Sequence, residues 1–276
     1  VGGVALSAKK RVAGAMGDEK LQRAIAALQE EGYVVVENAV SDEPLDVLQE
    51  KMDEDARRLM AADKWGGAGA VKGHLQQGPP PHAPYIFPEI VANSFAVQVT
   101  QAVLGEGVYN AYYNGNTNIP GSGLQPLHRD ACELWPGWEG KHPATTLVVN
   151  IPLGAVSEEN GATEIWPGSH RVAGELTDER VETQRASRSP IRLEIARGSV
   201  VVRDIRLWHR GVPHESSAFR HMLAMVHQVR WFRRLGKLRY QTGCEDAFVA
   251  GDLDHNAEFV DGPIDYLFGP LVGHSW

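Results

Sequence analysis

From residue 108 to 231 the chain is broken into short strand-like runs by turn signals, and that spacing limits the folds open to it. Val108 to Asn118 alternates and is rich in tyrosine; further β-rich runs occupy 145–152, 163–166, 191–195, 199–204 and 220–231. Pro120-Gly121, Pro136-Gly137, Asn160-Gly161, Pro167-Gly168 and Arg197-Gly198 punctuate them. Many short strands at close spacing read as an antiparallel sandwich or barrel. A jelly roll of two sheets suits this chain, because its mouth can hold a site assembled from separate strands. Asn160-Gly161 reads as the tight turn of a hairpin.

The preceding residues are helical in pattern. Residues 1–17 show no periodicity and are expected to form a loose tail. A helix is expected from Asp18 as its N-cap, with Leu21, Ile25 and Leu28 on one face and Gly32 at its end. Tyr33 to Val36 reads as a short strand. Ser41 and Pro44 open a second helix, with Leu45, Leu48, Met52 and Leu59 as its buried stripe. Residues 65–84 are rich in glycine and proline and read as a loop; 90–105 read as a further helix ending at Gly105. The expected organisation is a single domain over 1–276, with a helical layer and short strand at 18–105, a core at 106–232 and irregular cover at 233–276. Its class is mainly β with flanking helices around a double-stranded β-helix (jelly roll, cupin-like) core.

Composition narrows the function. No apolar run approaches the ~20 residues that span a bilayer, and Val1 to Ala15 lacks the apolar centre of a signal peptide. Two cysteines, Cys132 and Cys244, do not make a disulfide framework, so a reduced, cytoplasmic setting is expected. A net charge of −8 argues against a nucleic-acid surface. The expected partner is a small-molecule substrate, with no nucleic acid and no membrane; oligomeric state stays open.

Four stretches carry residues suited to chemistry. In Leu124 to Glu133, His128 and Asp130 stand one residue apart, so in an extended chain both point to one side. An imidazole and a carboxylate on one face are two thirds of a non-haem iron site; His209 in Arg206-Leu-Trp-His-Arg-Gly211 is the candidate third ligand. Taken alone, the pair also suits a surface strand, and His209 also suits a buried, hydrogen-bonded histidine beside Trp208. Arg220 opens an apolar strand, where a guanidinium is costly to bury without an anion and where its fork suits a carboxylate; a salt bridge is the plainer alternative. Glu158 to His170 reads on composition as a structural hairpin. The 65–84 loop adds His74, Gln76 and Gln77, either solvated or lining a pocket.

Together these stretches resemble the phytanoyl-CoA dioxygenase-like iron(II)/2-oxoglutarate oxygenases. The matching residues are Gln125-Pro-Leu-His-Arg-Asp130, Glu159-Asn-Gly-Ala-Thr163 with Pro167-Gly-Ser-His170, and Arg206 to Pro213 with Arg220. Gly73 to Pro80, Asn110 to Gly121 and Leu134 to Gly137 are similar to antibiotic-tailoring members of the family such as the kanamycin B dioxygenase. His214 departs from that likeness, standing where asparagine is expected. The resemblance implies iron(II) held by His128, Asp130 and His209, with 2-oxoglutarate and O2 as co-substrates. It implies that Arg220 clamps the distal carboxylate of 2-oxoglutarate, helped by Thr163, with Gln125 and Asn116 near the co-substrate. His74, Gln76, Trp135 and Cys132 are the expected substrate-side residues, with Trp138 a further candidate for stacking. If the 124–133 strand runs far enough, Cys132 shares the iron's face. Asp130 itself implies hydroxylation, or an oxidation that begins as one: halogenating relatives carry a small residue there.

Two other readings compete. A non-catalytic jelly roll binding a sugar or other small ligand needs neither Arg220 nor all three metal residues. A cupin-type isomerase or hydrolase has more closely spaced histidines than this chain.

Overall fold

The computed structural model describes residues 3–64, 71–135, 137–138, 142–233, 236–248 and 251–269. In chain order its elements are β1 (Gly3–Ala5), α1 (Ala8–Ala13), α2 (Asp18–Glu31), β2 (Tyr33–Glu37), α3 (Asp42–Ala61), β3 (His74–Gln76), α4 (Pro88–Val91), α5 (Ser94–Leu104), β4 (Tyr109–Asn118), β5 (Thr146–Pro152), β6 (Glu164–Ile165), α6 (Asp178–Ser187), β7 (Ile191–Arg192), β8 (Val200–Asp204), β9 (His209–Arg210), β10 (Arg220–Gln228), β11 (Leu238–Gln241) and β12 (Ala257–Val260). A seven-stranded sheet runs β1-β2-β8-β5-β10-β4-β3, and a three-stranded sheet runs β7-β6-β9. The two enclose the site as the two sheets of a jelly roll.

Side-chain alternation gives the large sheet two different faces. Val34, Val36, Leu147, Val149, Ile151, Val200, Val202, Leu223 and Met225 pack with Leu28 of α2, Leu45, Leu48 and Met52 of α3 and Phe95 and Val99 of α5. Residues of opposite parity turn inward: Tyr33, Val35, Val201 and Met222 pack with Ile165 of the small sheet and with Leu193, just after β7. Met222, Ala224 and Val226 of β10 lie beside Asn116, Asn114 and Tyr112 of β4 on one side, and Pro152, Asn150 and Val148 of β5 on the other. The α3 stripe follows its pattern, whereas in α2 Leu28 is buried with Ala24, and Leu21 and Ile25 stay half-buried. Leu28 and the α3 residues Leu45, Leu48, Met52 and Leu59 are buried, and Gly32 ends α2 in the left-handed conformation at φ 84°.

Several expectations differ from the structure. The loose tail is partly ordered: β1 pairs in parallel with β2, and Val4 and Leu6 are buried. Three residues are too few to show a period, yet they cover an edge strand whose backbone would otherwise stay open. Asp18 is the first helical residue, and Gly17 stands at the cap. Within the 65–84 loop, residues 65–70 lie outside the described residues, but His74–Gln76 form an edge strand on β4. The helix at 90–105 is broken in two, with the Asn93 side chain capping α5. Asn160-Gly161 does make a tight turn, Gly161 N–H donating to Glu158 O at 3.1 Å. It joins no hairpin, because β5 and β6 belong to different sheets. The C-terminal cover contains a parallel pair, β11 and β12, and its Tyr266 hydroxyl donates to the buried Asp55 of α3 at 2.6 Å. No described helix is long and apolar enough to cross a membrane.

His227 on β10 faces the helices, its Nδ1 2.9 Å from Thr100 Oγ1. Burial, and then His255 nearby, push its pKa down to about 3. An imidazole that ionises near 6.5 once unfolded takes up a proton on unfolding, so its contribution is complete above that pH and falls as acid is added. Between pH 7 and 5 this residue alone should remove about 2 kcal/mol of stability. Denaturant midpoints at the two pH values should therefore lie closer together in His227→Gln than in the wild type; an equal separation would place the titrating group elsewhere.

Candidate metal centre

His209 sits at the start of β9, and a single antiparallel bridge fastens it to His128. The His128 N–H donates to His209 O at 3.1 Å, and the His209 N–H to His128 O at 2.9 Å. This one bridge, with Asp130 N–H donating to Ile205 O at 3.2 Å, holds a segment that is otherwise irregular. Each imidazole has its Nδ1 against a main-chain carbonyl, Pro126 O at 2.8 Å for His128 and Leu207 O at 2.9 Å for His209. A carbonyl only accepts, so both Nδ1 atoms carry the proton and both Nε2 lone pairs are free for a metal. Asp130 Oδ1 lies 3.9 Å from His128 Nε2 and 3.6 Å from His209 Nε2. The ligand atoms of all three residues fall within 4.8 Å of one another, the one such group among the described residues. Two imidazole nitrogens and one carboxylate oxygen are the donor set of a non-haem iron centre.

The other oxygen of Asp130 is occupied. Arg203 on β8 donates from Nη2 to Oδ2 at 2.6 Å, and its Nε donates to Asn150 Oδ1 at 3.2 Å. Burial alone would raise the Asp130 carboxyl; Arg203, then the two imidazoles, outweigh it and hold the group well below the usual carboxylate range. His209 moves the same way: burial and Arg203 push its pKa down to about 3 against the pull of Asp130, which keeps the ring neutral and able to ligate. Sequence reasoning missed Arg203. Its signal was available, since an arginine inside the apolar run Val200-Val-Val-Arg203 raises the same question about an anion as Arg220 does. Behind it, Arg206 grips Asp204 with Nε at 2.9 Å and Nη2 at 2.7 Å, and donates from Nη1 to His142 O at 3.1 Å. This pair fixes the turn that delivers His209.

The triad opens into a cavity of about 500 Å³ whose lining includes Thr163, Gln125, Asn116, His74, Gln76 and Arg220. The structure thus brings these six expected residues to one space. Arg220 is 6% exposed, donates from Nη2 to Gly161 O at 3.3 Å, and leaves its Nε without a partner. Burial lowers its pKa to about 10, which leaves it charged at neutral pH. Gln125 accepts from Gly211 N–H at 2.7 Å, and His74 Nε2 donates to Gly123 O at 2.7 Å. A Cβ on Gly211 would sit 2.5 Å from the His74 ring and 2.6 Å from Gln125 Oε1, so only glycine lets the three meet. Gln76 donates to Tyr112 Oη at 2.7 Å.

Cys132 and Trp135 are placed differently. They line a neighbouring cavity of about 350 Å³ that shares Asp130 and Ile205 with the first. The stretch leaves extended pairing after His128, so the alternation that aligned His128 with Asp130 does not carry Cys132 into the metal-side cavity. Trp135 stacks on His142 with ring centroids 6.2 Å apart, and Trp138 is 59% exposed.

Residues 28–222 match the phytanoyl-CoA dioxygenase (PhyH) family. The chain belongs to that family. Among curated relatives it is 30% identical to the dioxygenase aneA of Aspergillus aculeatus, over 61% of this chain and 59% of that protein. It is also 30% identical to the multifunctional dioxygenase prhA of Penicillium brasilianum, over 52% of this chain and 50% of that one. The chain thus spans between half and three fifths of the curated relatives it matches. Among solved structures it is similar to HygX from Streptomyces hygroscopicus, determined with nickel, 2-oxoglutarate and hygromycin B bound. That match has a TM-score of 0.55 at 16% identity, over 85% of this chain and 96% of that one, and shows a shared fold. The phytanoyl-CoA dioxygenase assignment covers the triad, Arg203 and Arg220 alike.

Proposed function

We propose that this chain is an iron(II)/2-oxoglutarate-dependent dioxygenase that hydroxylates or otherwise oxidises a small molecule of secondary metabolism, in the cytoplasm. The observation that carries the reading is Arg220. It is a buried cation with an unpartnered Nε, lining the same cavity as a metal triad, and such a charge is costly to bury unless an anion meets it. A dicarboxylate with one end at the metal and the other at Arg220 satisfies both. His128, His209 and Asp130 Oδ1 would hold the iron, and Thr163, which lines the same cavity as Arg220, would offer a hydroxyl to the distal carboxylate. Iron(II) bound there supplies the coupling of 2-oxoglutarate decarboxylation to oxidation of a substrate C–H bond by O2. Val148, Ile205, Ala224 and Val226 give the cavity an apolar wall that keeps water from the reacting centre. The Asp130 carboxylate favours hydroxylation over halogenation. An aminoglycoside or a similar natural product is the proposed substrate class, supported by the sequence likeness to antibiotic-tailoring members and by the shared fold with the hygromycin B-bound structure.

The test is an anaerobic titration of metal-free protein with iron(II) and 2-oxoglutarate. The weak visible charge-transfer band of the chelate should appear, and Arg220→Ala should need at least ~30-fold more 2-oxoglutarate to reach it. Folded wild-type protein that gives no band would overturn the reading in favour of a ligand-binding jelly roll.

A further inference from the structure

We infer that Arg203 is a positioning residue that makes Asp130 a one-oxygen ligand. The inference rests on the iron reading above and goes further, to a residue that supports a metal ligand from the wall of the same cavity. Arg203 reaches Asp130 from the floor of the large sheet, opposite Val148 in register. Its contact to Oδ2, at 2.6 Å, is short and charge-assisted. The guanidinium is itself held: Nε donates to Asn150 Oδ1, and Asn150 Nδ2 donates in turn to the β10 main chain at Leu223 O, 3.2 Å away. Side-chain exposure of Arg203 is 12%, so this is a packed support and not a mobile surface pair. With Oδ2 taken, Oδ1 is the oxygen left on the side of both Nε2 atoms.

The count of ligand positions gives this contact its consequence. Two imidazoles and one carboxylate oxygen use three positions of an octahedral metal and leave three open. Iron(II) held there would need those positions for 2-oxoglutarate and O2. A carboxylate free to swing both oxygens onto the metal would close the last of them. Arg203 therefore keeps a place open by occupying the oxygen that would fill it.

Electrostatics and positioning predict opposite signs, which makes the inference testable. A positive charge next to a cation site opposes metal binding, so if charge were all that mattered, Arg203→Met would bind iron(II) or cobalt(II) more tightly. Positioning predicts the reverse: a loss of about 10–100-fold, the usual cost of removing the support of a metal ligand. It also predicts a cobalt(II) absorption spectrum changed in shape, because the coordination number changes. Arg203→Lys keeps the charge and one donor and should recover part of the affinity. Asn150→Ala leaves Arg203 present but unanchored; it should lose several-fold, and it serves if Arg203→Met does not fold. The measurements are metal titration calorimetry and cobalt(II) spectra, with circular dichroism to confirm folding. Unchanged or tighter metal binding in folded Arg203→Met, with an unaltered spectrum, would overturn the inference. Failure of the wild type to form the iron–2-oxoglutarate band would instead remove the reading beneath it.

Discussion

His128→Ala and His209→Ala should each lower iron(II) affinity by more than 100-fold while leaving the protein folded. Loss of an outer support of a metal ligand costs ~10–100-fold, and loss of the ligand itself costs more. The two rings contribute little else. Their Nδ1 atoms bond to carbonyls of residues two positions back in the chain, and the bridge that joins them is main chain to main chain. Removing either imidazole leaves that bridge intact. Anaerobic calorimetric titration checks the affinity, and a thermal melt without metal checks the fold. A variant retaining wild-type affinity would exclude its histidine from the metal site.

Asp204→Ala should have the opposite profile, losing stability first and metal affinity as a consequence. Arg206 makes three bonds to this carboxylate, from its main-chain N–H and Nε to Oδ1 and from Nη2 to Oδ2. Asp204 is 3% and Arg206 8% exposed. Breaking a buried pair by removing one partner costs about 3–5 kcal/mol, because the other charge is left in a poor dielectric. The turn at 205–208 would then lose the brace that aims His209. Urea denaturation of metal-free protein measures the first effect. The double variant Asp204→Ala/Arg206→Met should recover most of the stability, since no uncompensated charge remains. A loss below about 1 kcal/mol in the single variant would show that water reaches the pair.

Much of this molecule can be read from the chain, for identifiable reasons. β4, β5, β8 and β10 are long enough for alternation or a β-branched run to show, and they form the centre of the large sheet. The triad and Arg220 are legible because a charge or imidazole in an apolar strand context demands a partner. Where elements are short, the signal disappears. β1 and β3 have three residues each, and their pairing is decided by the edges they cover, not by any pattern of their own. Cys132 shows the reach of a parity argument: alternation aligns His128 with Asp130, but one bridge does not make a strand, and two residues later the rule no longer applies. Arg203 is a different case. Its charge inside Val200–Asp204 signals a buried partner, but which anion meets it is not legible, because Asp130, 73 positions earlier in the chain, becomes a neighbour only through the fold.

The two-faced sheet has a consequence for how such a protein can change. Leu147, Val149, Leu223 and Met225 carry the packing against the helices, while Val148, Ala224 and Val226 on the same strands line the cavity, with Tyr112 facing them from β4. Stability and substrate shape are therefore written on alternate letters of the same strands. A library varied only at the cavity letters can search new substrates while the packed letters keep the scaffold. That independence gives one fold room to diversify its chemistry without passing through unfolded intermediates in sequence space.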